Sequence, residues 1–102
     1  MKDISWIVQA LGSFSPEPGT RIYLFGSRVK DHLGGGDIDL LLLSPNSSEQ
    51  KRLRGQSHFI LSAIKKGIGD QKIDLKMSYP QECSQDPFLK EILSEAKLLF
   101  QW

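Results

Sequence analysis

The chain has 102 residues, a formal net charge of +1, 39% hydrophobic residues and 25% charged residues. This length suits one domain over residues 1–102, and the hydrophobic fraction supports a packed core, which excludes a wholly disordered chain. A charge so close to neutral argues against a protein that coats nucleic acid, because such proteins carry a basic excess.

The cysteine content and the apolar runs indicate a cytoplasmic protein. Cys83 is the single cysteine, so no internal disulfide can form, and no CxxC or Cys/His cluster indicates zinc. The longest unbroken apolar run, Leu40–Leu43, is far too short for a membrane span. The first residues lack the pattern of a signal peptide. We therefore expect no membrane association.

The first half of the chain predicts a helix and then a strand. Apolar residues from Ile4 to Leu11 recur at the spacing of one helical face, with Asp3 as the expected N-cap and Gly12 as the expected end. Arg21–Phe25 is short, β-branched and aromatic, which predicts a strand. Its apolar residues fall on both faces, which favours a central position in the sheet.

The second half continues the alternation of strands and helices. The predicted elements are a buried strand over Asp37–Leu43, one long helix over Ser47–Lys66, a third strand over Lys72–Met77, and a helix that starts at Asp86-Pro87 with Phe88, Leu89, Ile92, Leu93 and Ala96 on its buried stripe. The end, Leu98–Trp102, either finishes that helix or forms a short edge strand, and we favour the strand. This order predicts one sheet covered by helices.

Two aspartates open the second strand. Asp37 and Asp39 are two residues apart, so their side chains point to the same face of a strand. Adjacent carboxylates repel each other unless a cation lies between them, and hard oxygen ligands are those that Mg²⁺ prefers. If the third strand lies beside the second, Asp74 projects to the same end of the sheet. Three carboxylates can hold two Mg²⁺ ions for an in-line displacement at phosphorus.

The turn after the first strand suits phosphate binding. Gly26 lets the backbone approach a phosphate closely, the Ser27 hydroxyl can donate to it, and Arg28 can pair with its oxygens. Taken alone, each of these features has an ordinary explanation: a turn and helix cap, a solvated strand edge, a surface carboxylate or a solvent-facing cation. Their joint occurrence in this order, with nine residues between Ser27 and Asp37, makes the pattern specific.

These motifs resemble the nucleotidyltransferase superfamily of the DNA polymerase β type. The chain looks most like the minimal nucleotidyltransferase (MNT) domains that act as antitoxins of helical HEPN proteins. The resemblance rests on Leu24–Arg28, on Gly35–Leu41 and on Lys72–Leu75. It implies an α/β (α+β) fold with a small mixed sheet flanked by helices, similar to the polymerase β palm.

The resemblance also implies roles for the residues of the motifs. Gly26, Ser27 and Arg28 would bind the nucleotide phosphates; Asp37, Asp39 and Asp74 would be the catalytic and metal-binding carboxylates, with Asp74 a ligand, the general base or both. The implied reaction depends on Mg²⁺ and transfers a nucleoside monophosphate, AMP from ATP, to a tyrosine of a HEPN toxin partner.

Two alternatives to this reaction stay open at this stage. The chain could instead be a scaffold or antitoxin with little turnover that neutralises its partner by binding, or it could transfer to a small molecule or an RNA end. No helical substrate-binding domain follows the motifs, so we expect an acceptor pocket that is either supplied by another chain or very open. Aromatic residues at both ends make a homodimer a candidate assembly. The cations of the long helix, Lys51 to Lys66, fit a solvated surface better than an RNA contact.

Overall fold

Four strands form one mixed sheet in the computed structural model, which describes residues 2–26, 38–69 and 72–102. In chain order the elements are α1 (Lys2–Gly12), β1 (Arg21–Phe25), β2 (Ile38–Leu43), α2 (Ser47–Arg54), α3 (Ser57–Ile68), β3 (Ile73–Ser78), α4 (Pro80–Gln85), α5 (Pro87–Glu95) and β4 (Lys97–Gln101). The strand order is β3-β2-β1-β4. Strand β1 is antiparallel to β2 and β4, whereas β2 is parallel to β3. The prediction of a small mixed sheet with helices on its faces is confirmed.

One face of the sheet carries the larger core. Leu40 and Leu42 of β2 are fully buried there against side chains of α1 and α3. The other buried members of this cluster are Ile7, Ala10, Leu11, Ile22, Leu24, Ile38, Leu53, Ile60, Ile64 and Met77. Because strand side chains alternate, the intervening residues of β2 belong to the opposite face. This larger core fixes the position of β2 within the sheet.

Helices α1 and α3 pack closely because a glycine leaves room for an indole ring. The Nε1–H of Trp6 donates to the carbonyl oxygens of Ala63, at 3.1 Å, and Ile64, at 2.9 Å. A Cβ atom added at Gly67 would overlap the ring of Trp6. The glycine is therefore a packing requirement of this helix pair.

The opposite face of the sheet is covered by α4 and α5 over only part of its length. Leu41 and Leu43, in the second half of β2, form a smaller core there with Cys83, Leu89 and Ile92. Asp39 precedes these leucines on the same face and is half-buried. The beginning of β2 is therefore the polar end of this face.

A buried carboxylate ties the loop after α1 to α2. Glu49 is 3% exposed and accepts a hydrogen bond from the backbone N–H of Glu17 at 2.8 Å. Arg52 donates to both carboxylate oxygens of Glu49, at 2.6 and 2.8 Å, and to the carbonyl oxygens of Phe14 and Ser15. Hydrogen bonding from Arg52 lowers the pKa of Glu49 below its ordinary value, outweighing the opposing effect of burial.

The structure corrects the single long helix predicted over Ser47–Lys66. That segment forms two helices, α2 and α3, separated by Gly55 and Gln56. Gln56, with φ −109° and ψ 13°, leaves the helical conformation, and Gly55 has a low helix propensity. The apolar spacing hides the break, because residues before and after it reach the same core.

Smaller differences concern the helix ends and the last helix. Helix α1 begins at Lys2, so Asp3 lies inside it rather than at the N-cap. Phe88 was predicted on the buried stripe of α5 but is 57% exposed, while Leu89 and Ile92 are buried as predicted. The predicted edge strand at the C-terminus is confirmed as β4. Among the described residues, no helix is both long and apolar enough to cross a membrane.

Candidate active site

Three side chains form a row across the polar end of the sheet. Phe25, the last residue of β1, pairs with Asp39 of β2 in the antiparallel register, and Asp39 pairs with Asp74 of β3 in the parallel register. Paired residues of neighbouring strands lie on the same face, about 5 Å apart. Asp39 and Asp74 are therefore adjacent on the face that α4 and α5 leave partly open. The sequence-based expectation that Asp74 projects to the same end of the sheet is confirmed.

Gly26 lies directly against the carboxylate of Asp39. Its backbone has a φ of +77°, a conformation that residues with a Cβ atom rarely adopt. A Cβ added at this position would overlap Oδ2 of Asp39 and would lie 3.3 Å from its Cγ. Glycine is thus required here both by its backbone angle and by the neighbouring carboxylate. The turn after β1 and the aspartate of β2 form one local unit.

Asp74 is paired with a cation from its own strand. The Nζ of Lys76 lies 3.5 Å from Oδ2 of Asp74, and the two side chains are 35% and 49% exposed. The same ammonium group lies 5.8 Å from the centre of the Phe88 ring. An ammonium group over an aromatic ring at this distance is attracted by the electron density of the ring. Lys76 thus links the carboxylate of β3 to the first turn of α5.

The start of α5 sets the position of Phe88 beside this row. Asp86 caps the helix, its Oδ1 accepting a hydrogen bond from the backbone N–H of Phe88 at 2.9 Å, and Pro87 follows at the first helical position. Phe88 borders two clefts. One, of about 250 Å³, is lined by Phe25, Gly26, Phe88, Glu91, Ile92 and Glu95. The other, of about 420 Å³, is lined by Arg54, Ser57, Leu61, Leu75, Lys76, Met77, Phe88 and Leu89.

The structure places some of the predicted site residues and not others. Gly26, Asp39 and Asp74 are brought together at the polar end of the sheet. Ser27, Arg28 and Asp37 lie outside the described residues.

Sequence reasoning missed two residues next to this row, Lys76 and Phe88. Lys76 follows Asp74 at the two-residue spacing that places strand residues on one face, and this signal could have identified it. Phe88 gave no such signal, because an aromatic residue in the first turn of a helix is as consistent with the core as with the surface.

The donor atoms of this site fit a hard divalent cation. Within residues 2–26, 38–69 and 72–102, no group of three His, Cys, Asp or Glu side chains is placed to hold a metal ion. The two predicted ligands that are described, Asp39 and Asp74, are carboxylates on one face in direct register. Carboxylate pairs of this kind bind Mg²⁺ together with water and substrate phosphates.

Comparison with known proteins identifies the family. The family model described as "Nucleotidyltransferase domain" matches residues 4–99, and no curated protein matches the chain. The matched range includes β1, β2, β3 and the first three residues of β4, and the mixed sheet agrees with the fold of that family. A transferase activity on nucleotidyl groups is supported at this general level. The chain therefore belongs to the nucleotidyltransferase domain family.

Proposed function

We propose that the chain is a Mg²⁺-dependent nucleotidyltransferase that moves a nucleoside monophosphate, AMP from ATP, to a hydroxyl acceptor. The observation that carries this proposal is the register of Asp39 with Asp74 beside Gly26, at the uncovered end of one sheet face. This arrangement supports the proposal because carboxylate oxygens are hard donors suited to Mg²⁺, and the glycine turn beside them lets a phosphate approach the backbone closely. Family membership supports the general reaction class.

Each proposed role follows from the chemistry of the side chain. Gly26, Ser27 and Arg28 would bind the triphosphate through a close backbone approach, a hydroxyl donor and a guanidinium group. Asp37, Asp39 and Asp74 would hold two Mg²⁺ ions. Bound Mg²⁺ would supply neutralisation of the triphosphate charge and a lower pKa for the attacking hydroxyl.

The proposed reaction is a substitution at the α-phosphorus atom of ATP. The acceptor oxygen forms a bond to this phosphorus, the bond to the bridging oxygen of the leaving group breaks, and pyrophosphate departs. Asp74 takes the proton of the acceptor hydroxyl, for which it must lie within hydrogen-bond reach of that oxygen. Lys76, 3.5 Å from Asp74, holds that carboxylate in place.

The proposed acceptor is a tyrosine of a HEPN-family partner, whose toxicity the modification would suppress. This part of the proposal rests on the resemblance of the motifs to the MNT antitoxins. The alternative function, neutralisation of the partner by binding alone, needs the same interface but none of the three carboxylates. The two functions therefore differ in how they respond to loss of the carboxylates.

A transfer assay with matched aspartate variants tests the proposal. The label of α-phosphate-labelled ATP is followed onto a purified HEPN-family protein in the presence of Mg²⁺. We expect Asp74→Asn to lower the rate by about 10²–10⁴-fold, the usual contribution of a general base, and Asp39→Asn to lower it strongly as well, because a Mg²⁺ ligand is lost. Asp86→Asn is the control, because asparagine caps a helix as well as aspartate does.

The outcomes separate the two functions. Loss of transfer in both site variants, with the control unchanged, supports the nucleotidyltransferase. Neutralisation of the partner by Asp39→Asn as effectively as by the wild type, without any transfer, supports the binding function. Transfer by Asp39→Asn at the wild-type rate contradicts the proposed site.

A further inference from the structure

The outer edge of β3 presents backbone groups that no strand of the described residues pairs with. Strand β3 is the last strand on its side of the sheet. Ile38 donates its N–H to the carbonyl oxygen of Lys72, and Ser44 donates to that of Ser78, both at 2.9 Å. In a parallel ladder, alternate residues direct both backbone groups to the same neighbour. The even-numbered residues of β3 therefore direct their backbone N–H and C=O groups toward β2. Ile73, Leu75 and Met77 direct the same groups outward, away from the sheet.

The cleft of about 420 Å³ lies along this edge. Leu75, Lys76 and Met77 of β3 contribute to its lining. Ser57 and Leu61 of α3 contribute from one side of the sheet, and Phe88 and Leu89 of α5 contribute from the other. The cleft is therefore a groove between two helices that contains an exposed strand edge. We call it the β3 groove.

The charged residues that line the β3 groove are both basic. Arg54 reaches the strand itself, where its Nη2 donates to the carbonyl oxygen of Met77 at 3.2 Å. Lys76 lines the groove and also contacts Asp74 of the candidate active site. The charged residues that line the cleft beside Gly26, in contrast, are both acidic, Glu91 and Glu95. The β3 groove therefore complements acidic side chains and adjoins the proposed general base.

We propose that the β3 groove binds an extended, acidic segment of the acceptor protein, which adds a strand to the sheet beside β3. Exposed strand edges bind extended peptides through main-chain hydrogen bonds, and flanking pockets select the side chains. Acidic side chains of the segment contact Arg54 and Lys76, and the segment delivers its hydroxyl side chain to Asp74. The inference rests on the proposed function and adds the surface on which the acceptor segment binds.

Binding of designed peptides tests the inference without any transfer reaction. The probe is a synthetic peptide of alternating glutamate and valine around one tyrosine. Its two controls replace glutamate by lysine, or methylate the backbone nitrogens that would pair with β3. We expect the acidic peptide to bind at least about tenfold more tightly than either control. We also expect its binding to slow hydrogen exchange of the Ile73, Leu75 and Met77 amides.

Two matched tryptophan variants locate the binding site. Ser57→Trp places a large side chain in the β3 groove, whereas Ser62→Trp places it on an exposed position of the same helix that does not line the groove. We expect the first variant to lose at least about tenfold in peptide affinity and the second to bind as the wild type does. Equal binding by both variants would overturn the inference. Tighter binding of an oligoribonucleotide than of the acidic peptide, sensitive to Ser57→Trp, would also overturn it.

A parallel titration with ATP and Mg²⁺ separates failure of this inference from failure of the proposed function. If the nucleotide binds but the peptide does not protect the β3 amides, the groove assignment is wrong and the nucleotide site stands. If the peptide binds but the nucleotide does not, the groove assignment stands and the proposed reaction is wrong.

Discussion

The two faces of β2 show how one strand serves both stability and chemistry. Leu40 and Leu42 are fully buried against α1 and α3, so this face holds the strand in its register. On the other face, Leu41 and Leu43 are buried under α4 and α5, but Asp39 is only half-buried and lies beside Asp74. The apolar residues fix the strand, and the carboxylate at its beginning is thereby held close to Gly26. The buried leucines of β2 thus hold the candidate active site in position, although Asp39 and Asp74 themselves contribute little to the core.

The largest expected effect on stability comes from the face of β2 that packs against α1 and α3. We expect Leu40→Ala to lower the free energy of unfolding by about 2–5 kcal/mol, because it removes buried apolar atoms and leaves a cavity. Asp39→Asn, at the preceding residue, should change it by about 1 kcal/mol or less, since its side chain reaches solvent. Urea unfolding measures both values. Equal destabilisation by the two substitutions would contradict the proposed difference between the two faces of β2.

The next largest effect on stability is expected at the contact between α1 and α3, which cover the larger core. Gly67→Ala should cost about 1–3 kcal/mol, because the new methyl group overlaps the ring of Trp6 and forces a rearrangement. The control is Gly55→Ala, whose added Cβ has its nearest neighbour at 3.5 Å, an ordinary contact. This control should be neutral or slightly stabilising, because alanine favours helical conformations. A stable Gly67→Ala protein would show that Trp6 is not packed as described.

A smaller effect concerns Glu49, which joins the loop after α1 to α2. Glu49→Gln should lower the free energy of unfolding at neutral pH by about 1.5 kcal/mol, because charge-assisted hydrogen bonds to Arg52 and Glu17 are weakened. The pKa of Glu49 is lower in the folded chain than in the unfolded one, so its contribution is complete at neutral pH. As the pH falls through that lowered pKa, the carboxylate becomes protonated and the contribution is lost. Wild type and variant should therefore converge in acid.

Denaturation at a series of pH values checks this convergence. Glu91→Gln is the control for replacing an exposed carboxylate, since Glu91 lies on the surface of α5. A difference between wild type and Glu49→Gln that grows as the pH falls would contradict the assigned pKa direction.

Two glycine substitutions should have small effects on stability, and one of them should have a large effect on nucleotide binding. Gly26→Ala and Gly69→Ala both place a Cβ at a positive φ, +77° and +81°, which costs about 1 kcal/mol. An added Cβ meets the carboxylate of Asp39 at Gly26, whereas at Gly69 it meets nothing within 4 Å. We therefore expect Gly26→Ala to be somewhat less stable than Gly69→Ala, because the Asp39 carboxylate must move, and to lose at least about tenfold in nucleotide affinity, which Gly69→Ala should retain. Equal affinities would mean that the Gly26–Asp39 contact does not serve the site.

Much of this architecture could be predicted from sequence because its elements have clear periods. The four leucines of β2, the helical spacing of α1, and the Asp86-Pro87 start of α5 each follow from local rules, and the structure confirms them. Helix α4 was missed, since only Cys83 among its residues is buried and a single apolar residue shows no period. The buried Glu49 was missed because its partners, Glu17 and Arg52, come from different parts of the fold.

The candidate site was predictable in part for a similar reason. The spacing of the aspartates indicated a shared face, and the register of β2 with β3 brings Asp39 and Asp74 together as expected. The two clefts beside Phe88 were not predictable, because each is formed by residues from separate elements that meet only in the folded chain. Local spacing therefore identifies the carboxylates, and tertiary packing determines what surrounds them.

Calorimetric titration of ATP with and without Mg²⁺ shows whether Asp39 and Asp74 bind the nucleotide through a metal ion. The proteins compared are the wild type, Asp39→Asn, Asp74→Asn and the control Asp86→Asn. We expect that binding requires Mg²⁺, is lost in both site variants and is unchanged in the control. Binding that is independent of Mg²⁺, or equally tight in Asp39→Asn and the wild type, would contradict the assignment of the polar end of the sheet as the nucleotide site.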